Sequence, residues 1–183
     1  MPTDALLETL RQAQRFGFFG DGDMAAAAAH SEAFVAAIGE LLPGARVLDL
    51  GSGGGLPGLV LAESFPDATV VLLDRRQKRT DFLERAVRRL GWQHVIVRAG
   101  DVRELIADVA TGVVEPFDVV TARGFGPPAF TLRSAANVIR SNGLIVISEP
   151  PAGDRWPPDL VAELELVGEP AGSVRRFRRT LTT

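Results

Sequence analysis

The sequence has 183 residues, which is the length of one ordinary domain and enough to bury a sizeable core. Hydrophobic residues make up 46% and charged residues 23% of it, as in soluble globular proteins. Cysteine is absent, which excludes disulfides, thiolate metal sites and cysteine nucleophiles within these residues. The net charge is −3, whereas proteins that coat nucleic acid nonspecifically are normally basic.

The N-terminus, Met1-Pro2-Thr3-Asp4, carries an acid where a signal peptide carries basic residues before a long apolar stretch. No uncharged apolar run approaches the roughly 20 residues that a membrane helix needs. We therefore expect a cytoplasmic protein that does not enter a membrane. The two histidines, His30 and His94, are far apart in the sequence, so we expect no metal site.

Residues 4–42 have a helical pattern with a break at residues 17–23, and we expect them to form a cap over the ligand-binding end of the core. From residue 46 onward, strand and helix patterns alternate. Apolar runs of strand length occur at residues 46–50, 69–73, 94–98, 117–120 and 144–147. Nearly continuous apolar strands of this kind are typical of a parallel sheet covered on both faces. The clearest helix is predicted over Lys78–Leu90, with its apolar residues on one face and Gly91 ending it.

The last part of the chain predicts an antiparallel hairpin at the sheet edge, formed by residues 164–167 and 173–181. The final strand of that hairpin carries Arg175, Arg176, Arg178 and Arg179. These arginines either contact phosphates of a ligand or protect an edge strand from pairing.

Together these patterns predict an α/β fold, namely a doubly wound, mostly parallel Rossmann-like sheet with an N-terminal helical cap and a C-terminal antiparallel hairpin. We expect a single domain over residues 1–183. Within it, residues 1–42 form the cap, residues 43–150 the cofactor-binding core and residues 151–183 the edge hairpin region.

A glycine-rich loop, Asp49-Leu50-Gly51-Ser52-Gly53-Gly54-Gly55-Leu56-Pro57-Gly58, follows the first strand. Glycines at 51, 53 and 55 allow the backbone to turn sharply and to approach a ligand closely. Pro57 suits the first position of the following helix, whose N-terminal amides could face an anionic group. The loop therefore predicts a nucleotide-type cofactor site.

Two cofactor classes use such a loop. A dinucleotide pattern G-x-G-x-x-G can be aligned on glycines 53, 55 and 58. However, the first turn glycine after the strand is Gly51, and in that register the third glycine position is Leu56. Asp49 would place a carboxylate near the ligand, which repels a pyrophosphate but not the amino group and sulfonium of S-adenosylmethionine. We therefore favour S-adenosylmethionine as the cofactor.

Two further acids follow the next strands. Asp74 ends the second strand, where a carboxylate can accept both ribose hydroxyls of either cofactor. Asp101 follows the third strand and could accept from an adenine amino group or cap the next helix.

The sequence resembles the ribosomal small-subunit RNA methyltransferase G family, also called glucose-inhibited division protein B. The run from Val47 to Gly58 looks like the first motif of that family. Leu72-Leu73-Asp74 with Lys78-Arg79 and Phe82-Leu83 is similar to the second motif. The segment from Asp118 to Phe125 is similar to the fourth-strand segment, in which an arginine follows the strand. The resemblance covers about residues 30–147.

The resemblance implies transfer of a methyl group from S-adenosylmethionine to N7 of a guanine in small-subunit ribosomal RNA, with ribosomal RNA or the small ribosomal subunit as partner. It implies that Asp74 holds the ribose, that Lys78 matches a basic position of the second motif and that Arg123 faces the methyl-transfer site as the catalytic residue. The full set of expected cofactor-binding residues is Asp49, Gly51, Ser52, Gly53, Gly55, Leu56, Asp74, Arg75, Asp101 and Val102. The expected substrate-binding residues are Arg123, Glu149 and Lys78.

The sequence departs from the family after the fifth strand, where the usual lysine–glycine pair is replaced by Ser148-Glu149-Pro150-Pro151. A carboxylate at Glu149 can accept from the N1 and N2 edge of guanine, so it is compatible with a guanine substrate. The lack of cysteine excludes the adduct used for pyrimidine C5. Guanine N7 carries a lone pair and no proton and needs no general base, while Arg123 could donate to O6.

Three alternatives remain open at this point. The first is a methyltransferase for a small molecule or another RNA, and the second is a non-catalytic module that binds S-adenosylmethionine. The third is a nucleotide-dependent oxidoreductase, which Asp49 and the glycine register disfavour.

Overall fold

The computed structural model describes residues 2–149 and 155–180. In that part of the chain, helices and strands alternate as the sequence predicts. The elements, in chain order, are α1 (Asp4–Arg15), α2 (Met24–Ile38), β1 (Arg46–Leu50), α3 (Gly58–Ser64), β2 (Thr69–Asp74), α4 (Gln77–Leu90), β3 (Val95–Ala99), α5 (Val102–Ala110), β4 (Phe117–Ala122), α6 (Pro128–Ala136), β5 (Ile139–Ser148), α7 (Pro158–Glu163), β6 (Leu166–Ala171) and β7 (Val174–Arg179).

The strands form one sheet in the order β3-β2-β1-β4-β5-β7-β6. Strands β1 to β5 pair in parallel, whereas β7 pairs antiparallel with both β5 and β6. This topology confirms the predicted doubly wound, mostly parallel fold with a C-terminal antiparallel hairpin. The chain direction across the sheet reverses between β1 and β4, and ligands of such sheets bind outside the carboxyl ends of the strands at that point.

Both faces of the sheet are covered, as the continuous apolar strands predict. Alternate residues of β1 point to opposite faces, so Val47 packs in one apolar cluster and Leu48 and Leu50 in another. Helices α1 to α4 supply the first cluster and helices α5 to α7 the second. At its C-terminus α4 ends on Gly91 in the left-handed conformation, as predicted.

The two N-terminal helices lie on one face of the sheet and share its apolar core. Thr3 caps α1 and Asp23 caps α2, each accepting from a backbone amide two or three residues on. The turn between the helices carries Phe18 and Phe19 to the glycine loop, where a Cβ on Gly54 would lie 2.6 Å from the Phe19 ring. The N-terminal region therefore contacts the glycine loop through the turn between α1 and α2, whereas the two helices pack on the sheet.

The C-terminal hairpin is confirmed, with strands at Leu166–Ala171 and Val174–Arg179, and Leu181 lies outside the described residues. Its arginine-bearing strand β7 is not the sheet edge, because β7 pairs on both sides and β6 is outermost. The interpretation of the arginines as protection of an edge strand is therefore wrong. Arg178 donates to the carbonyl of Asn142, and Arg179 donates to the carbonyls of Ala136 and Ile139.

None of the helices in the described ranges is long and apolar enough to span a membrane.

Candidate functional site

The glycine loop has a backbone that other residues adopt with difficulty. Gly51, Gly53 and Gly55 have φ angles of 70°, 58° and 111°, all in the region that favours glycine. The amides of Gly51 and Ser52 donate to the carbonyl of Leu73, so the loop is fixed to the end of β2. The sequence prediction of a sharp, glycine-dependent turn is confirmed.

The start of α3 differs from the prediction. Pro57 is the N-cap residue rather than the first helical residue, and the helix begins at Gly58. The Gly58 amide, which we expected to face an anionic ligand, donates to Oδ2 of Asp49 at 3.2 Å. The carboxylate of the chain itself therefore takes the place of that anion.

Asp49 is fully buried between β1, β4 and α3. Besides Gly58, it accepts a hydrogen bond from Thr121, whose Oγ1 lies 2.9 Å from Oδ1. Burial raises the pKa of Asp49 to about 6, although the hydrogen bonds from Thr121, Ser52 and Gly58 oppose the rise. In the interior, Asp49 therefore links β1, β4 and α3 through hydrogen bonds.

A cavity of about 500 Å³ lies at the carboxyl ends of β1, β2, β3 and β4. The predicted cofactor-binding residues that line it are Gly51, Asp74, Arg75, Asp101 and Val102. The other predicted residues, which are Asp49, Ser52, Gly53, Gly55 and Leu56, are buried and do not line it. The cavity therefore unites predicted residues from the ends of three different strands, while the other predicted residues of the loop are buried.

The carboxylate of Asp74 is only 5% exposed and organises one wall of this cavity. Its Oδ2 accepts from the Gly53 amide at 2.9 Å, and its Oδ1 accepts from the Arg76 amide at 2.9 Å. The Arg79 guanidinium lies 3.5 Å from Oδ2. Asp101 both caps α5, through the amide of Arg103, and lines the cavity, so its two sequence interpretations are compatible.

Several residues of this cavity were not predicted from the sequence. Two further arginines, Arg76 and Arg103, line it beside Arg75 and beside Arg79, which the sequence indicated only as a basic position of the second motif. Phe125 and Phe130 also line it and are stacked, with ring centroids 5.7 Å apart. A Cβ on Gly51 would lie 2.6 Å from the Phe125 ring, so this glycine makes room for the ring. The arginine-rich run after β2 is visible in the sequence, whereas no sequence pattern indicates the stacking of Phe125.

A second cavity, of about 250 Å³, lies beside the first at the ends of β4 and β5. The segment Gly124-Phe125-Gly126 lines both cavities, and Glu149 and Arg155 line the second. Glu149 accepts from Trp156, whose Nε1 lies 2.6 Å from Oε2. Its Oε1 is buried, lies 3.6 Å from Nε of Arg155 and has no hydrogen-bond partner within residues 2–149 and 155–180.

The remaining predicted substrate residues lie near these cavities but do not line them. Arg123 is partly buried directly after β4, and its Nη1 is buried without a hydrogen-bond partner in the described part of the chain. Lys78 is exposed in the first turn of α4. No group of three or more His, Asp or Glu side chains able to hold a metal ion occurs among the described residues.

Comparison with known proteins places this geometry in a family. The model of the family described as rRNA small subunit methyltransferase G matches residues 34–149. A Ribosomal RNA small subunit methyltransferase G from Sorangium cellulosum is 40% identical over 108 residues, which are 59% of this chain and 44% of that protein. The chain thus spans about half the length of the curated relatives that it matches.

Solved structures share the fold at low sequence identity. A protein from Klebsiella pneumoniae assigned as an O-methyltransferase has a TM-score of 0.70 at 17% identity, with 98% of this chain and 91% of that chain covered. Coclaurine N-methyltransferase, bound to N-methylheliamine and S-adenosylhomocysteine, has a TM-score of 0.55 at 19% identity, with 72% of this chain and 39% of that chain covered.

The fold is the Rossmann-like fold of methyltransferases. Because the family model matches more than half of the chain, the protein belongs to the rRNA small subunit methyltransferase G family, which confirms the resemblance seen in the sequence.

Proposed function

We propose that the chain is an S-adenosylmethionine-dependent methyltransferase that methylates N7 of a guanine in small-subunit ribosomal RNA in the cytoplasm. One observation carries the proposal. In a member of this family, residues from the ends of β1, β2 and β3 meet in a single cavity at the point where the sheet order reverses. In this proposal residues 43–150 are the cofactor-binding core, and residues 1–42 and 151–183 flank it.

The groups around the larger cavity fit the adenosine part of the cofactor. Oδ1 of Asp74 accepts one backbone amide, from Arg76, and keeps a second lone pair for a ribose hydroxyl, while Oδ2 accepts the Gly53 amide and lies 3.5 Å from the Arg79 guanidinium. Asp101 supplies an acceptor for the adenine amino group, and Leu73 and Val102 supply apolar surface for the ring. The lack of a side chain at Gly51 leaves room for the Phe125 ring, which lines the same cavity.

The arginines of the same cavity support a phosphate-bearing substrate. Arg75, Arg76, Arg79 and Arg103 line the cavity together with the two aspartates, which leaves an excess of positive charge there in an acidic protein. Guanidinium groups bind carboxylate and phosphate with paired hydrogen bonds. We assign Arg79 to the carboxylate of the methionine part, and the more exposed arginines with Lys78 to RNA phosphates.

The bound cofactor supplies an electrophilic methyl group on its sulfonium, and the protein contributes position and polarity. Guanine N7 has a free lone pair, so no side chain has to remove a proton before the attack. Arg123 lies directly before the segment that lines both cavities, and its buried Nη1 keeps a donor that no described group accepts. We assign that donor to guanine O6, where it orients the base and stabilises charge without blocking N7.

The proposal is tested by giving the purified protein labelled S-adenosylmethionine with small ribosomal subunits, with deproteinised RNA and with a fraction of small metabolites. Digestion of the RNA and mass spectrometry should reveal N7-methylguanosine. Calorimetry with S-adenosylhomocysteine and with NAD is the companion measurement, and only the former should bind.

Each alternative has its own outcome. Label in a small metabolite but not in RNA would leave a methyltransferase of another substrate class. Binding of S-adenosylhomocysteine without transfer to any acceptor would indicate a non-catalytic binding module. Binding of NAD alone would refute the cofactor assignment.

A further inference from the structure

The smaller cavity lies on the β4–β5 side of the point where the sheet order reverses, opposite the cavity of the proposed cofactor. Its volume of about 250 Å³ is below the roughly 300–1,000 Å³ of pockets for drug-sized ligands, so it suits a group about the size of one base. Phe125 and its two flanking glycines form the wall that it shares with the larger cavity. A group bound in the smaller cavity therefore lies next to the cofactor site.

Glu149 is held in a fixed position in this cavity. Its side chain is 13% exposed, and Trp156 Nε1 donates to its Oε2 at 2.6 Å. Trp156 is in turn packed edge-on against Phe177, with ring centroids 5.1 Å apart, and Arg155 is tied to the carbonyl of Ser148 at 2.6 Å. The carboxylate is therefore positioned from one side, while Oε1, which lies 3.6 Å from Nε of Arg155, accepts no hydrogen bond from a described residue.

We propose that the smaller cavity takes a guanine base turned out of an RNA strand, and that Glu149 selects guanine by accepting its N1–H and N2–H donors. This inference rests on the proposed function and names the group that chooses the base. Enzymes that modify a base commonly take it out of the stack and read its Watson–Crick edge in a closely fitting pocket.

The chemistry of the four bases explains the choice. Guanine presents two adjacent donors on its Watson–Crick edge, and both can meet the oxygens of one carboxylate. Adenine and cytosine place a ring-nitrogen lone pair beside their amino group, and uracil flanks its single N–H with two carbonyls. A buried carboxylate repels those lone pairs and is left incompletely paired, which disfavours the other three bases.

The same orientation suits transfer to N7. In guanine, N7 lies on the edge opposite N1 and N2, so a base held by Glu149 directs N7 away from that residue.

The test uses the fluorescence of Trp156, which contacts Glu149. Trp92→Phe leaves Trp156 as the one tryptophan of the chain, since the sequence contains two. This variant, saturated with S-adenosylhomocysteine, is titrated with guanosine, inosine and adenosine. We expect affinities in the order guanosine, inosine, adenosine, because inosine keeps N1–H but lacks the N2 amino group.

Glu149→Gln in the same background should weaken guanosine binding about tenfold or more and remove its advantage over adenosine. Glu169→Gln is the matched control, because Glu169 lies on the edge strand β6, is 62% exposed and pairs with Arg176. That control should bind guanosine as the parent does.

Equal affinities for the three nucleosides, no fluorescence change up to millimolar nucleoside, or a guanosine preference that survives in Glu149→Gln would overturn the inference. If Glu149→Gln does not fold, the order of nucleoside affinities in the parent still shows whether the smaller cavity prefers guanine. Failure of S-adenosylhomocysteine to bind at all is a separate result, which refutes the proposed function and is read from calorimetry on the same protein.

Discussion

Replacing Asp49 with asparagine should stabilise the protein above pH 6. Asp49 is fully buried, and burial raises its pKa to about 6 from the usual 3.8, so the folded protein disfavours the charged form. Asparagine has nearly the same shape and no charge. Its oxygen can accept from the Gly58 amide, and its amide can donate to Thr121, whose hydroxyl can then donate to the carbonyl of Leu48, 3.3 Å away.

The size of the effect follows from the pKa. A folded-state pKa above the unfolded value means that the folded protein binds the proton more tightly, so stability is lost as the pH rises from about 3.8 to about 6 and is constant above that. Each unit of pKa difference corresponds to about 1.4 kcal/mol. The charged carboxylate therefore lowers the free energy of unfolding by about 3 kcal/mol at pH 8, which is the upper limit of what asparagine restores.

The measurement is urea unfolding followed by circular dichroism from pH 4 to pH 8 on wild type and Asp49→Asn. The difference between the two proteins should be small at pH 4 and should grow to its full value above pH 6. As a control, Thr121→Val removes a hydrogen bond that opposes the rise in pKa, and should destabilise the protein more at pH 8 than at pH 4. An asparagine variant that is less stable than wild type at pH 8, or a pH-independent difference, would refute the argument. Calorimetry with S-adenosylhomocysteine on the same variant shows whether Asp49 also contacts the cofactor.

Three further substitutions test the proposed site. Asp74→Ala should weaken S-adenosylhomocysteine binding about tenfold or more in a protein that still folds, since it removes a charged acceptor, and unchanged affinity by calorimetry would exclude the ribose assignment. Gly53→Val and Gly91→Val place the same side chain at φ 58° and 72°, so each should cost about 1–2 kcal/mol of stability, but calorimetry should find cofactor binding lost only in the first. Arg123→Ala should lower methyl transfer to RNA by about two orders of magnitude while S-adenosylhomocysteine affinity stays constant. Arg133→Ala, which removes an exposed ion pair with Glu163, is its control and should do neither.

The parts of the fold that depend on local patterns could be predicted from the sequence. The five parallel strands were found because each is a short, continuous apolar run, and the glycine loop because three of its positions need positive φ. The bounds were less accurate. Strand β5 begins at Ile139 rather than residue 144, and its pairing with β4 shifts register between Phe117 and Val119, which no local signal marks.

The environment of Asp49 could have been derived but was not. Alternation along β1 puts Asp49 on the same face as Val47, beneath α3, rather than at the open end of the strand. The position of Asp49 within the glycine-loop motif suggested that its carboxylate contacts the ligand. The direction of its side chain places that carboxylate in the interior instead.

Contacts between distant segments could not be predicted. The link from Trp156 to Glu149 depends on how the chain returns after β5, and the stacking of Phe125 on Phe130 depends on the start of α6. The position of β7 inside the sheet depends on strand order, which no single strand encodes.

The sheet order also separates the residues proposed to contact the base from those proposed to bind the cofactor. The residues proposed to bind the cofactor follow β1, β2 and β3, whereas Arg123 and Glu149 follow β4 and β5 across the reversal of the sheet order. The two sets share the wall Gly124-Phe125-Gly126, and no hydrogen bond or ion pair among the described residues joins Glu149 to Asp74 or Asp101. The segment after β5 can therefore change without disturbing the carboxylates after β2 and β3, so the group that contacts the base can differ while the proposed cofactor site remains intact.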